Sequence, residues 1–401
     1  MANVNQIFTL LNTVAKEAIG ESAITVIDTS SFVALGNQIF STATNIDSFY
    51  EKLPDVIGRV WVKYMEITRD DRGIERQPLD FGIILERISV YKIADAETND
   101  SWLKNPDPYS SDKMNDKTDI VVNLLSKIAT FSINKVIYDS QLRTAFSSPE
   151  RMGAFVNLVF ADMRNGMIKH LNNTTRLAES TAIAQSLSTY GKMHINLLTE
   201  YNTLTNKSLT VATARRDSDF VIYATKRIKE VIARSKQLSV LYNVANAERE
   251  LNDEDLRLHI LSDFASDMMV YAQSNTYHDE FVKLYGYEEI AMWQGLSTDA
   301  SFDSVSTVSI ENGDINITQS GVIAHLFAKD KTGVMIEHIR TKSDYIATAE
   351  RTLYSHKADI GYFVLPDEID IVFYIAEDSD DKANNTPPTE PTEPTEPTEN
   401  A

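Results

Sequence analysis

Ser148-Pro149-Glu150-Arg151-Met152 opens the longest periodic stretch in the chain. Ser148 is placed to cap a helix, Pro149 to take its first position, and Glu150 to meet the partial positive charge of the first turn. Met152, Val156, Val159, Met163, Met167 and Leu171 follow at steps of three and four, which lines one face of a helix over roughly 149–170. A second helix is expected from Ala178 to Leu187. The stripe reads as helix core rather than a cofactor box. A helix of that length needs other elements to lie on.

Upstream, residues 1–50 carry only five charges. Val4, Ile7, Phe8, Leu11, Val14 and Ala18 recur at helical spacing, and a second short helix follows with Ser30 or Ser31 as cap and Phe32, Leu35, Ile39 and Phe40 on one face. Two such helices cannot bury their own apolar faces, so they need a body or a neighbour. Past Pro54 the pattern changes to strand. Arg59 to Ile67 and Phe81 to Val90 are rich in β-branched and aromatic residues, and Arg69-Asp70-Asp71-Arg72-Gly73 is turn chemistry with Gly73 free for positive φ. This predicts a long β-hairpin over 57–93. Its charged tip, about 68–78, is expected to matter for association rather than for the subunit fold.

Downstream, residues 95–119 are loop-like. A helix is expected from Asp217 to Lys236, with Phe220, Ala224, Ile228 and Val231 inward. Leu256 to Gln273 is too irregular to assign to helix or strand. Asn312-Gly313 marks a hairpin between Val305–Ile310 and Ile315–Ile317. Val322–Ala328 and Ile369–Ile375 read as buried strands. Residues 377–401 hold eight acids and one lysine, −7 of the net −20, with Pro-Thr-Glu repeated four times from Pro388 to Glu399. A period of three suits polyproline II, and the whole tail is expected to stay solvated outside any packed core.

Recognisable enzyme motifs are missing. The fourteen glycines are never closer than eight positions, so no GxGxxG, Walker loop or GxSxG elbow exists in the sequence. Its seven histidines form neither HxH nor HxxxH, so a metal site would need ligands gathered across the fold. They read as ordinary surface or core histidines, and Glu288-Glu289 as a solvated face. Arg215, Arg216, Lys226, Arg227, Lys229, Arg234 and Lys236 form the densest basic cluster, and with one aromatic near it this reads as a helix's polar face, not a nucleic-acid platform. No catalytic, cofactor or metal residue is assigned.

Composition narrows the field further. A chain of 401 residues, 43% hydrophobic, exceeds one small core, and 38 basic against 58 acidic side chains make it a poor non-specific binder of nucleic acid. With no cysteine there is no disulfide scaffold, thiol chemistry or Fe–S cluster. Neither a basic leader nor an apolar run near membrane-spanning length is visible, so no export signal or membrane embedding is expected. What remains is an arm, a projecting hairpin, a long helix and an inserted α/β region, the devices of a subunit that laces into its neighbours.

The run Asp28-Thr-Ser-Ser-Phe-Val-Ala-Leu-Gly-Asn37, with Phe49-Tyr50 and Ile57-Gly58-Arg59 entering the hairpin, resembles the start of tailed-bacteriophage major capsid proteins of the Hong Kong 97-like fold, and among them those of small podoviruses of Gram-positive hosts. Tyr138–Phe146 leading into the Pro149 helix is similar to the entry of that fold's spine helix. Gly321–Asp330 and Gly361–Pro366 resemble its closing segments. The likeness spans about 28–375 and rests on no short motif.

The resemblance implies an α+β fold with residues 1–55 as N-terminal arm and 57–93 as extended loop. It implies a peripheral domain of 94–190 with 321–376, an axial domain with connecting hairpin over 191–320, and 377–401 as a disordered tail. It implies a structural, non-enzymatic protein that assembles with itself, as hexamers and pentamers, into the icosahedral shell around phage DNA. Scaffolding and portal proteins would be partners, and neither sequence-specific DNA nor membrane would be. Assembly would take place in the bacterial cytoplasm and end in the virion. Trp61, Tyr64 and Phe81 are expected to pack on a neighbouring subunit, and Arg69, Arg72 and Arg76 to meet its acidic surface. Competing readings are an encapsulin-type compartment, a wall-associated surface protein (Pro-Thr-Glu linkers without the Thr-Gly of a sorting motif after Leu365-Pro366) and an enzyme with a dispersed site.

Overall fold

A computed structural model describes residues 4–42, 44–49, 51–52, 72–79, 85–93, 120–125, 128–189, 192–274, 286–295, 299–312, 315–381 and 383. The N-terminal helices are α1 (Val4–Ile19) and α2 (Thr29–Ile39). The cap of α2 is Asp28 rather than Ser30 or Ser31. Its carboxylate accepts from Ser31 N at 2.8 Å, and the Ser31 hydroxyl accepts from Asp28 N at 3.0 Å, a reciprocal box that places serine one turn in. The arm finds its body in its own subunit. Leu11, Val14, Phe32, Leu35, Ile39 and Phe49 pack with Ile137, Leu142, Phe146, Met152 and Tyr354.

Strands β1 (Glu75–Leu79), β2 (Leu85–Val90), β3 (Ile120–Leu125) and β4 (Ile128–Tyr138) follow, then α3 (Asp139–Ala145) and α4 (Pro149–Ser188). Ser148 accepts from Arg151 N and Pro149 sits in the first turn, as the sequence indicates. The two helices expected over 149–187 are one, 40 residues and about 60 Å long. It continues because Asn172 to Arg176 carries no breaker, while Thr174 and Thr175 return their hydroxyls to the carbonyls four residues back. Met152 and Met163 reach the N-terminal helices, Met167 and Leu171 the middle core, and Ile183, Ala184 and Leu187 the far core.

β5 (His194–Asn196), α5 (Leu197–Thr205), α6 (Ser218–Ser235), β6 (Leu256–Leu261), α7 (Ser262–Ser274), β7 (Tyr287–Ile290), β8 (Val308–Asn312) and β9 (Ile315–Gln319) come next. The unassigned 256–273 region is half strand and half helix, which is why neither period fits it. Phe220, Ala224, Ile228 and Val231 of α6 are all buried. Two members of the basic cluster are held locally, Arg227 on α6 by Glu200 at 2.8 Å and Arg215, just before that helix, by Asp267 at 2.8 Å.

The chain closes with β10 (Val322–Ala328), β11 (Thr332–Ile346), β12 (Arg351–Val364) and β13 (Asp370–Tyr374). One sheet runs β1-β11-β12-β4 and a second runs β5-β13-β10-β6-β7, with β2-β3 and β8-β9 as separate ribbons.

The hairpin expected over 57–93 falls largely outside the described residues, which give only parts of its second half. Residues 53–71 lie outside the described residues. Within its second half, β1 runs parallel to β11 with Arg76 opposite Val334, and β2 pairs with β3, Ile88 opposite Val122. The long hairpin of the described fold is β11–β12. Its interleaved charges (Glu337, Arg340, Lys342, Asp344) conceal the strand pattern in the sequence. Because Ile74 is buried and β1 is part of a sheet, residues 72–78 belong to the subunit fold and not to a dispensable tip.

The tail also starts later than expected. Asp381 is buried, accepting from Tyr374 Oη and Asn196 Nδ2, each at 2.9 Å, and Ala383 joins the far core. The packed part thus extends to 383, and residues 384–401 lie outside the described residues. Truncation after Ala383 is expected to leave thermal unfolding unchanged. Truncation after Ala376 should cost about 1–3 kcal/mol, because buried Tyr374 Oη loses its Asp381 acceptor while Asn196 keeps only its bond to Ala376 O. Differential scanning calorimetry of the two truncations checks this, and equal melting would refute it.

Candidate assembly interface

The β2–β3 ribbon has one face toward the body and one away from it. On the inward face Ser89 is buried and Arg87 bridges to Asp367 at 3.0 Å and to Glu368. Arg249 joins them, 2.7 Å from Asp367, and donates to Val90 O at 2.8 Å. Burial pushes the Asp367 carboxyl upward, but Arg87 and Arg249 outweigh that and hold it below the usual carboxylate range. Buried on two sides and multiply bonded, this cluster fixes the ribbon's orientation.

The outward face carries exposed Glu86 at one end and is aliphatic beyond it. Ile88 is 65% exposed and its cross-strand partner Val122 47%, with Val90 on the same strand face and Ile93 beyond it also exposed. Glu248 N donates to Tyr91 O, and Arg249 bridges to Ser239, which sets exposed Leu238 and Leu241 beside the ribbon. A two-stranded ribbon is marginal in water by itself, and clustered aliphatic side chains of this kind mark a contact surface.

Of the residues predicted to meet a neighbour, Trp61, Tyr64, Arg69 and Phe81 lie outside the described residues. Arg76 lies on β1, while Arg72 requires correction. It is 3% exposed and faces inward, donating to Glu179 Oε2 at 2.6 Å and to the carbonyls of Met292 and Trp293 at 2.7 and 3.4 Å. A guanidinium held by three acceptors inside the subunit is not available to a neighbour's acidic surface.

Arg72 is one end of a buried charged row. Glu179 of α4 contacts His259 Nδ1 at 2.5 Å and faces His325 Nδ1 at 3.5 Å, His325 Nε2 contacts Asp370 at 2.6 Å, and Lys331 Nζ lies 3.2 Å from Asp370. Burial alone would raise the Glu179 carboxyl, yet His259 and Arg72 hold it well below its ordinary value. For His325 the desolvation that favours the neutral ring is outweighed by Asp370 and Glu179, and its pKa is raised. No sequence signal points to this row, because its members stand 107, 80 and 45 positions apart pair by pair.

A family model for the Phi29-like phage major capsid protein matches residues 11–368. The chain belongs to that family. The capsid protein is therefore structural and not an enzyme, a component of the virion shell, and its fold is α+β, as expected from the sequence. Solved structures with a similar fold include the capsid of Staphylococcus phage Andhra, at 11% identity and a TM-score of 0.48, covering 78% of this chain and 86% of that one. The capsid of cyanophage P-SCSP1u is similar at 13% identity and a TM-score of 0.46, covering 76% and 87%. A virus-like particle from Pyrococcus furiosus is similar at 9% identity and a TM-score of 0.36, covering 79% and 96%. No curated protein sequence matches the chain. No helix among the described residues is long and apolar enough to cross a membrane. Family membership decides against the encapsulin-type and wall-associated readings.

Proposed function

We propose that subunits of this capsid protein close an icosahedral shell as hexamers and pentamers, and that the outward face of the β2–β3 ribbon is one of the surfaces through which they join. The observation that carries this reading is the uncovered aliphatic strip of Ile88, Val90 and Val122 on a ribbon whose opposite face is locked by Arg87, Arg249 and Asp367. A strip that is rigidly presented loses little entropy on docking, so its burial contributes to association at about 25 cal/mol per Å² less that small cost. Residues 57–93 act as the extended loop, with Arg72, β1 and the ribbon as the parts of that range tied to the body. Trp61, Tyr64, Arg69, Arg76 and Phe81 remain its proposed contacts, without Arg72.

Residues 94–190 with 321–376 form the peripheral domain and 191–320 the axial domain. A portal at one vertex and a scaffolding protein complete the assembly. A wall carrying a net charge of −20 does not adhere to packaged DNA, which suits filling and ejection.

The test places charge on the strip. An Ile88→Asp, Val122→Asp chain is expected to keep the far-UV dichroism and urea midpoint of the parent subunit, since both side chains face solvent. Its yield of shells by sedimentation and negative-stain microscopy, with scaffolding protein supplied, should fall at least about tenfold, as expected when two charges must be desolvated at a contact. Parental yields of closed shells would remove the ribbon from the interface.

A further inference from the structure

Three side chains from three elements direct donor atoms at one buried point. Glu179 descends from α4, while His259 of β6 and His325 of β10 stand directly opposite each other in the sheet beneath it. Their donor atoms all lie within 4.8 Å of one another, and no other such group occurs among the described residues. Each ligand's far side has its own partner. Arg72 holds Glu179 Oε2 at 2.6 Å, Asp370 holds His325 Nε2 at 2.6 Å, and the Glu288 carboxylate stands 3.8 Å from His259 Nε2. Outer partners of this kind fix the tautomer and direction of metal-ligating imidazoles and carboxylates.

The decisive geometry is at His325. Its Nε2 is engaged by Asp370 at 2.6 Å, and its Nδ1 faces Glu179 Oε1 across 3.5 Å, a separation longer than a charge-assisted hydrogen bond. Among the described residues that Nδ1 atom is fully buried and has no hydrogen-bond partner. The gap between that nitrogen and the carboxylate oxygen is a place that a shared cation, a proton or a metal, can fill. A proton there would draw the two atoms to about 2.7–2.9 Å. Two ligands on one metal, with bonds of about 2.0–2.1 Å at a tetrahedral angle, sit about 3.4 Å apart. The His325 spacing fits a shared metal, whereas His259 Nδ1, 2.5 Å from the same oxygen, is joined to it by a proton that the metal must displace. With neutral imidazoles, Glu179, Asp370 and Glu288 against Arg72 and Lys331 sum to 2 − 3 = −1, so the group has room for positive charge.

We propose that Glu179, His259 and His325 form a binding site for a divalent transition metal of the zinc class, with water in the fourth position. A two-imidazole, one-carboxylate set selects such an ion over calcium or magnesium. Binding replaces the hydrogen bond between His259 Nδ1 and Glu179. The displaced proton passes to His259 Nε2, which is buried without a hydrogen-bond partner and faces Glu288. The bound ion joins α4, β6 and β10 and, through Arg72, the root of the extended loop.

The full-length unassembled subunit, stripped with chelator, is titrated with Zn²⁺ and separately with Co²⁺, then desalted. One zinc per chain by atomic emission, a higher melting temperature, and the visible ligand-field bands of tetrahedral Co²⁺ are expected. His259→Gln and His325→Gln should each weaken retention about 10–100-fold or more, a change at least as large as loss of an outer partner. His356→Gln, outside the site, should leave retention unchanged. Should the site variants fail to fold, the cobalt spectrum and the zinc-dependent melting shift of the parent chain decide alone. Retention below about a tenth of a zinc per chain would show that the row holds only protons and would overturn the proposal. Equal loss in His356→Gln would overturn it as adventitious binding.

Discussion

An Arg72→Met subunit is expected to lose about 3–5 kcal/mol of stability, because Glu179 is then left as a buried charge without its guanidinium. Neither partner is exposed by more than 4%, so solvent does not screen the pair. The backbone adds a second reason. Arg72 sits at φ 49 and Gly73 at φ 60, two successive left-handed residues, and a non-glycine side chain accepts that conformation only where other contacts determine it. The guanidinium's three bonds to Glu179 and to the carbonyls of Met292 and Trp293 are those contacts. Replacing both partners, Arg72→Met with Glu179→Met, should restore at least half of the loss, since a buried pair is replaced by apolar surface at lower cost than it is broken. Urea unfolding of the unassembled subunit measures all three chains. A single variant within about 1 kcal/mol of the parent would mean that Arg72 reaches solvent in solution.

Gly321→Ala is expected to abolish the folded subunit. At φ +77 the added Cβ would stand 2.0 Å from the carbonyl oxygen of Ile375, and that oxygen is backbone and cannot swing aside. The same crossing carries the hydrogen bond from Ile375 N to Gly321 O at 2.8 Å, which ties the start of β10 to the end of β13, while Gly321 N donates to Ser306 Oγ at 3.0 Å. Separating the two strands disrupts the centre of the five-stranded sheet, and a loss above about 4 kcal/mol is expected. Gly286→Ala is the control. It has a similar φ of +81 but open space around the new methyl, so only the left-handed cost of about 1–2 kcal/mol applies. Soluble yield and circular dichroism of the two variants separate crowding from backbone strain, and comparable behaviour would refute the clash.

Much of the assembly character is local and therefore legible in the chain. Ser148 and Pro149 start the long helix because a cap and a pre-set φ act within one turn. Its apolar stripe, the inward face of α6 and the fully buried β10 and β13 follow from period alone. The absence of closely spaced glycines and of cysteine excludes whole classes of chemistry without any coordinates.

Apart from the β8–β9 hairpin at Asn312-Gly313, strand partners were not legible, because a strand offers two edges and its sequence does not say which distant segment takes each. Thus Glu75–Leu79 joins Thr332–Ile346 and Leu85–Val90 joins Ile120–Leu125, where a local hairpin would be the economical guess. The orientation of Arg72 was equally hidden. In sequence it is a turn arginine beside acids, and only the approach of α4 and of residues 292–293 turns it into a buried partner of Glu179. His259 and His325 read as unremarkable singly, and become a convergent pair because β6 and β10 align them in register under one glutamate. The sequence determined by itself the start of the long helix, the inward face of α6 and the buried strands β10 and β13, since caps and periods act over a few residues. Only the tertiary structure decided which strands pair, which charges are buried together and which aliphatic face stays open, since those depend on closures between segments up to hundreds of residues apart.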